Sequence, residues 1–452
     1  MAKQVNLLKG NIFSTLTALA LPIMGSQLMQ MAYNLTDMLW IGRIGVGAMA
    51  AVGAVGLFMW LSNGLVILAR MGGQVLVAQN IGAGNIERAG RCAAGALQLG
   101  AALALGYTLL LTLGSGPLIG FFKLNSPQVA ADARMYLILV ALGMPFSFLN
   151  QVLVALITAT GNSRTPFLAM VWGLGINIIL DPLLIFGVRG FLQWGVAGAA
   201  LATTLAQGVV FFILCRYALK DQYLFPHVHL LQRTTAAEMW RLLRISGPAA
   251  AVNVVFPIVS MVLARMVSAF GDSAVAVQKV GSQVESLSWM TADGFAAATN
   301  SFVGQNYGAG NPQRAKKGFY VSFSLMTIWG IFCTLLLVFA AGPIFQIFIP
   351  DVDVLPMGVD YLVIIGISEL FMCWEILIEG AYAGFGHTLT PSIISSVLTI
   401  ARIPLAAVLS ATVLGLSGIW WSITLSTIIK GIILTTMFFF FLRKVVRRKI
   451  IL

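Results

Sequence analysis

The chain has 452 residues, 59% of them hydrophobic and 9% charged, with a mean hydropathy of +0.93. Soluble globular chains carry about 25% charged residues, so a soluble domain, a disordered chain and a secreted disulfide scaffold are all excluded. The formal net charge of +12 does not point to nucleic acid, because the basic residues sit in short loops and at the chain ends rather than along one face.

About 20 apolar residues plus a short loop make one membrane crossing. Apolar runs predict twelve helices, at about 12–41, 47–78, 91–114, 129–158, 167–187, 194–218, 245–270, 275–304, 318–341, 358–384, 391–414 and 418–442. Lys3 and Lys9 lead into the first, which is too long for the apolar core of a cleavable signal and has no small-residue cleavage site behind it. The longest polar interval, 219–244, divides the chain into an N-terminal six-helix lobe (1–218) and a C-terminal one (245–452).

Loop charge sets the expected orientation. With the N-terminus inside, the inner loops and tails collect 18 basic residues: Lys3, Lys9, Arg88, Arg91, Arg164, Arg216, Lys220, Arg233, Arg241, Arg244, Arg314, Lys316, Lys317, Arg443, Lys444, Arg447, Arg448 and Lys449. The outer loops collect only Arg43, Lys123, Arg134 and Arg189, together with the acids Asp272, Asp351, Asp353 and Asp360. The positive-inside rule then places both termini in the cytoplasm of a multi-pass protein of the plasma membrane.

The two lobes repeat each other. Residues 77–89 (VAQNIGAGNIERA) and 303–315 (VGQNYGAGNPQRA) agree at nine of thirteen positions at an offset of 226. The same offset pairs Pro22 with Pro248, Gly45 with Gly271, Gly116 with Gly342 and Pro117 with Pro343; with small gaps, Gly195 and Gly198 pair with Gly415 and Gly418. An even number of helices per repeat gives both halves one orientation. That predicts an all-α integral membrane fold, twelve transmembrane helices as two six-helix bundles related by a pseudo-two-fold along the membrane normal.

With its doubled Q-N-x-G-A-G-N-x-x-R-A segment, Leu21-Pro22 and Asp37 on the first helix, and Asn177 with Asp181-Pro182 on the fifth, the whole chain resembles the multidrug and toxic compound extrusion (MATE) family of secondary transporters. The resemblance implies export of amphipathic, often cationic compounds, driven by inward flow of protons or sodium ions.

Charges in the hydrocarbon are costly and mark function. Asp37 and Asp181 each lie several residues before the outer end of their helix and are expected at similar depth. Tyr33 and Asp37, like Asn177 and Asp181, are i, i+4 neighbours; Asn34 is i, i+3 to Asp37. Pro182 cannot donate to the carbonyl of Ile178, which leaves a free acceptor one turn from the carboxylate. Two carboxylates, an amide and a loose carbonyl suit a proton or a small cation, and burial favours the protonated form of such a pair. In the other repeat Leu263 and Ile403 stand at the corresponding places, so the scaffold alone does not require the acids. The resemblance maps Asp37, Asn177 and Asp181 onto the cation-coupling site of proton-linked members, completed by Thr203 or Thr204. Sodium at Asp37 and Asp181 stays open as an alternative, although the C-terminal half has Asn253 and Met372 about where sodium-linked members carry acids.

The C-terminal lobe carries Lys279, Glu285, Asp293, Glu369, Glu375, Glu379, Arg402 and Lys430 within or beside predicted helices. An internal ion-pair network explains most of them; Glu285 and Glu375, with Trp289 and Met31, are candidate contacts for substrate. The four cysteines, Cys92, Cys215, Cys333 and Cys373, lack metal or redox spacing, and no G-x-x-x-x-G-K-[ST] nucleotide loop is present. The GAGN segments instead suit tight cytoplasmic turns. The expectation is a monomeric proton-coupled antiporter for small amphipathic cations that works by alternating access in the lipid bilayer, without cofactor or nucleic acid and with no enzymatic step. The alternatives are a sodium-coupled multidrug antiporter, or a related flippase or exporter of lipid-linked or anionic metabolites.

Overall fold

The computed structural model describes residues 5–122, 126–187, 193–232, 234–348 and 354–448. Lys3, Lys123, Arg189, Arg233, Asp351, Asp353 and Lys449, used above to orient the chain, lie outside the described residues, as do the side chains of Asp272 and Arg448.

The described chain is helical throughout. The elements are α1 (Ile12–Ile44), α2 (Val46–Gly82), α3 (Ile86–Leu113), α4 (Ser115–Gly120), α5 (Pro127–Ala159), α6 (Arg164–Ile185), α7 (Gly195–Lys220) and α8 (Ala236–Ser268). They continue with α9 (Asp272–Gly308), α10 (Pro312–Phe339), α11 (Ala341–Phe348), α12 (Leu355–Gly366), α13 (Glu369–Gly384), α14 (Leu389–Ile400), α15 (Arg402–Ser410) and α16 (Gly415–Arg448). Ten spans among the described residues are long and apolar enough to cross a bilayer, and eleven if α12 and α13, bent by 45° at their break, form one crossing. At 37 residues α9 is long enough too, but Lys279, Glu285 and Asp293 with several hydroxyl side chains make it too polar for that set. With α9 included, the long elements agree with the twelve predicted helices.

Three differences from the predicted elements have local causes. α8 starts nine residues before the predicted 245, because Thr235 and Glu238 form a capping box: Thr235 Oγ1 donates to Glu238 Oε2 at 3.0 Å, and the Glu238 amide donates to Thr235 Oγ1 at 3.3 Å. The eleventh predicted helix divides into α14 and α15 at Ala401, where Pro404 cannot donate to the carbonyl of Ile400. α4 and α11 are short helices in repeat-related loops, each with a Gly-Pro pair near its start.

The repeat is visible in the backbone. Gly84 (φ +74°) and Gly310 (φ +69°) take the left-handed conformation at the same place in the two GAGN segments. Asn85 and Asn311 then cap α3 and α10, accepting from the amides of Arg88 at 3.0 Å and Arg314 at 3.1 Å. The segments are therefore tight turns, as their composition predicts. Gly195 (φ +54°) and Gly415 (φ +50°) form a second related pair.

The chain divides into two compact units, and the division does not follow the repeat strictly. One unit holds Leu21–Gly247 with the first residues of the chain; the other holds Asn6–Ala20 and Pro248–Leu452. The first turns of α1 thus belong to the second unit, and the first turns of α8 to the first. The crossings fall between Ala20 and Leu21 and between Gly247 and Pro248, beside the repeat-related prolines Pro22 and Pro248.

Within the first unit the core sets large apolar side chains such as Leu137 and Phe148 among small ones on α2, α3 and α5, including Ala69, Ala93, Ala96 and Ala141, which let helices approach closely. A Cβ added at Gly73 would stand 2.6 Å from the Cβ of Ala96. In the second unit Gly380 and Gly384, a G-x-x-x-G pair on α13, lie against the carbonyls of Ala296 and Asn300 on α9. With no water to drive association in lipid, such van der Waals contact is what holds helices together.

Candidate functional site

In the first unit three helices contribute to one polar cluster. α1 supplies Tyr33 and Asp37, α6 supplies Asn177 and Asp181, and α7 supplies Thr203. Asn177 and Asp181 are fully buried, and Tyr33 nearly so. The i, i+4 spacing on α6 lets Asn177 Nδ2 donate to Asp181 Oδ1 at 3.2 Å. Thr203 Oγ1 donates to Asp37 Oδ2 at 3.4 Å, a long bond.

The carboxyl groups of Asp37 and Asp181 are near enough to share a proton, and Asn177 lies against both. Without a proton, Asp37 Oδ1 and Asp181 Oδ2 are buried acceptors with no donor; Asn177 Oδ1 and Tyr33 Oη are likewise unpartnered. Two like charges about 4 Å apart repel by about 4 kcal/mol at an effective dielectric of about 20. Such a pair can accommodate a proton or a cation between its members. All unpaired groups are oxygens, the donor set that suits a proton or a hard cation.

Asn34 is exposed, and its Oδ1 accepts from Gln30 Nε2 at 3.3 Å rather than meeting either carboxyl group. The two threonines left open by the sequence have different partners: Thr203 reaches Asp37, whereas Thr204 Oγ1 donates to the carbonyl of Leu139 at 3.2 Å. Tyr136 of α5, buried and within electrostatic range of both aspartates, is a neighbour that sequence reasoning missed. A lone tyrosine in an apolar run carries no signal of that role. Beside Tyr33 a small recess is lined by Met29, Gln30, Met170, Leu174, Gln207 and Val210.

The second unit holds a separate group of charges. Lys430 Nζ pairs with Glu375 Oε1 at 2.5 Å, both buried. Glu379 accepts from Ser395 Oγ at 2.5 Å. Arg402, also buried, donates from Nε to Ser426 Oγ at 2.6 Å and from Nη2 to Thr427 Oγ1 at 2.9 Å. Both carboxyl oxygens of Glu369 are buried without a partner, and Glu285 lies near Glu369 and Arg402. Of the four candidate substrate contacts, Glu375 is engaged by Lys430. Trp289 is 41% exposed and Glu285 is half-buried, whereas Met31 belongs to the first unit.

Long apolar helices, two related halves and a buried carboxyl pair in one of them define a polytopic membrane transporter. The MatE family model matches residues 22–183 and 248–408, one match in each half. The chain belongs to the MatE family. A probable multidrug resistance protein NorM of Thermotoga maritima is 31% identical over 412 residues, covering 90% of this chain and 87% of the relative. A FAD transporter of Shewanella oneidensis is 26% identical over 441 residues, covering 96% and 95%. Among solved structures, a MATE in the bent conformation superposes with a TM-score of 0.91 at 22% identity, covering 99% of each chain. An outward-facing MATE family transporter of the MOP superfamily gives 0.88 at 22% identity, covering the whole of both chains.

Proposed function

We propose that the chain is a proton-coupled antiporter that exports amphipathic cations by alternating access. The observation that carries this reading is the juxtaposition of Asp37 and Asp181, two carboxyl groups with buried, donorless oxygens. Protons entering from outside neutralise the pair, α1 and α6 repack about Pro22 and Pro182, and a cationic substrate is displaced. Release of the protons to the cytoplasm resets the site. Several similar proteins are named probable multidrug resistance proteins, which supports a drug-like substrate. The bias of basic residues toward one set of loops supports a plasma-membrane protein with both termini in the cytoplasm. The working unit in this reading is a monomer in the bilayer.

The test is transport of a cationic dye by the purified chain in liposomes under an imposed pH gradient or an imposed sodium gradient. Transport is expected under the pH gradient, with loss in Asp37→Asn and in Asp181→Asn. Full gradient-driven transport by both variants would reject the coupling site, and transport under sodium alone would replace the coupling ion.

One observation favours a second reading, export of an anionic metabolite. Arg402 is buried with two hydroxyl partners, and among the described residues no carboxylate lies within ion-pair distance of it. The similarity to a FAD transporter agrees with an anionic substrate. Competition of dye transport by a flavin nucleotide, lost in Arg402→Gln, would establish this reading over the first.

A further inference from the structure

The doubled GAGN segments are alike in sequence and in turn geometry, yet Asn306 and Arg314 at the second one make additional bonds to the chain before α1. In the second segment the guanidinium of Arg314 grips the chain just before α1. Its Nε donates to the carbonyl of Leu7 at 3.3 Å, Nη2 to Lys9 at 3.0 Å and Nη1 to Gly10 at 3.0 Å. Asn306 Nδ2 adds a second bond to the Leu7 carbonyl at 3.1 Å, and the Leu7 side chain is buried. Asn306 is itself fully buried, and the Arg314 guanidinium lies 5.5 Å from the ring centre of Phe302. The segment is bent to meet this grip: Asn6 Oδ1 accepts from the amides of Leu8 and Lys9, and Gly10 takes φ +84°.

At the same positions of the first segment stand Arg88 and Asn80. Asn80 Nδ2 bonds the carbonyl of Leu76 at 2.7 Å just as Asn306 Nδ2 bonds that of Phe302 at 2.8 Å, each within its own helix; Asn80 has a long contact to Cys92 Sγ at 3.9 Å where Asn306 adds the bond to Leu7. The chain before α8 is held instead by Gln98 of α3, whose Nε2 donates to the carbonyls of Leu230 and Gln232 and whose Oε1 accepts from Thr234 Oγ1.

We propose that Arg314 and Asn306 form a latch that fastens the base of α1 to the second unit, so that transport turnover is driven through α1. The chain just before the helix is held at Leu7–Gly10 by residues of the second unit, and from Leu21 onward the helix belongs to the first unit, where it carries Asp37. A rearrangement at Asp37 then pulls on an anchored lever rather than on a loose end. Arg314 and Asn306 are positioning residues, for they touch neither the carboxyl pair nor a substrate. The proposal rests on the transport reading above.

The test uses the full chain in liposomes, with ethidium as the transported dye. Arg314→Ala is expected to speed amide exchange across residues 7–15 and to lower the maximal transport rate at least about tenfold, the scale of one lost charge-assisted hydrogen bond. The concentration giving half-maximal transport is expected to stay unchanged. Arg314→Lys, which keeps the charge but not the fork of donors, should fall between wild type and Arg314→Ala. It also serves as the informative variant if Arg314→Ala does not accumulate in membranes. Arg88→Ala, the same position in the other repeat, should stay within about twofold of wild type. Unchanged exchange in the Arg314 variants would show that no latch exists. Faster exchange with an undiminished maximal rate, or an equal loss in Arg88→Ala, would show that turnover does not run through it. Failure of the coupling site is separable: Asp37→Asn and Asp181→Asn would then both keep full gradient-driven transport while the Arg314 variants still lost rate.

Discussion

Asp37 and Asp181 have one feature that an ordinary buried acid lacks, a second acid where a donor would stand. A buried carboxylate is tolerated when donors surround it, and here Thr203 and Asn177 supply one bond each while an oxygen on each acid is left over. Thr203→Val is expected to impair proton-driven transport and leave the melting temperature nearly unchanged. Thr204→Val should do the reverse, costing about 1 kcal/mol of stability through the lost bond to Leu139. Transport assays paired with thermal unfolding separate the two. The Glu375–Lys430 ion pair has a stability consequence of its own: Lys430→Met alone should destabilise the protein by about 3–5 kcal/mol, because Glu375 is left as a buried unpaired charge. Adding Glu375→Gln should recover most of that loss in the same unfolding measurement.

At the scale of the helix, small residues decide which elements meet. Gly198 on α7 brings the backbone of α6 so close that a Cβ would lie 2.3 Å from the carbonyl oxygen of Leu184. Gly198→Ala is therefore expected to cost about 1–3 kcal/mol by overpacking and to disturb the helix pair that carries Asp181 and Thr203. Gly175, also on α6, has nothing within 4 Å of an added Cβ; Gly175→Ala should be neutral or stabilise by up to about 1 kcal/mol. Equal melting temperatures for the two variants would contradict this account of α6–α7 packing. The early start of α8 shows a signal that was present in the sequence and outweighed there by polarity: Thr235-Ala236-Ala237-Glu238 is a capping box ahead of a charged first turn. The break at Pro404 was likewise legible, since proline inside an apolar run interrupts a helix.

For the whole molecule, the distribution of loop charge makes a prediction about orientation. Cysteines placed at Gln232 and at Phe121, in a background without the four native ones, should react with a membrane-impermeant thiol reagent from opposite sides of the cell membrane. Gln232→Cys is expected to react from the cytoplasm; the reverse pattern would overturn the inside placement of the termini. Composition, apolar run length and the nine shared positions of the doubled segment determined by themselves that this is a helical membrane protein of two related halves, because a bilayer admits few ways to satisfy a backbone. The acids of the cluster were legible for the same reason, as charge in hydrocarbon is rare enough to stand out. The tertiary structure decided which neighbours they have. Thr203 rather than Thr204 bonds Asp37, Tyr136 lies within electrostatic range of both acids, Asn34 pairs with Gln30, Glu375 is bound to Lys430, and the second of the two related segments grips the start of α1. Periodicity fixes which face of a helix a residue occupies, but what lies opposite that face depends on how helices distant in sequence pack together.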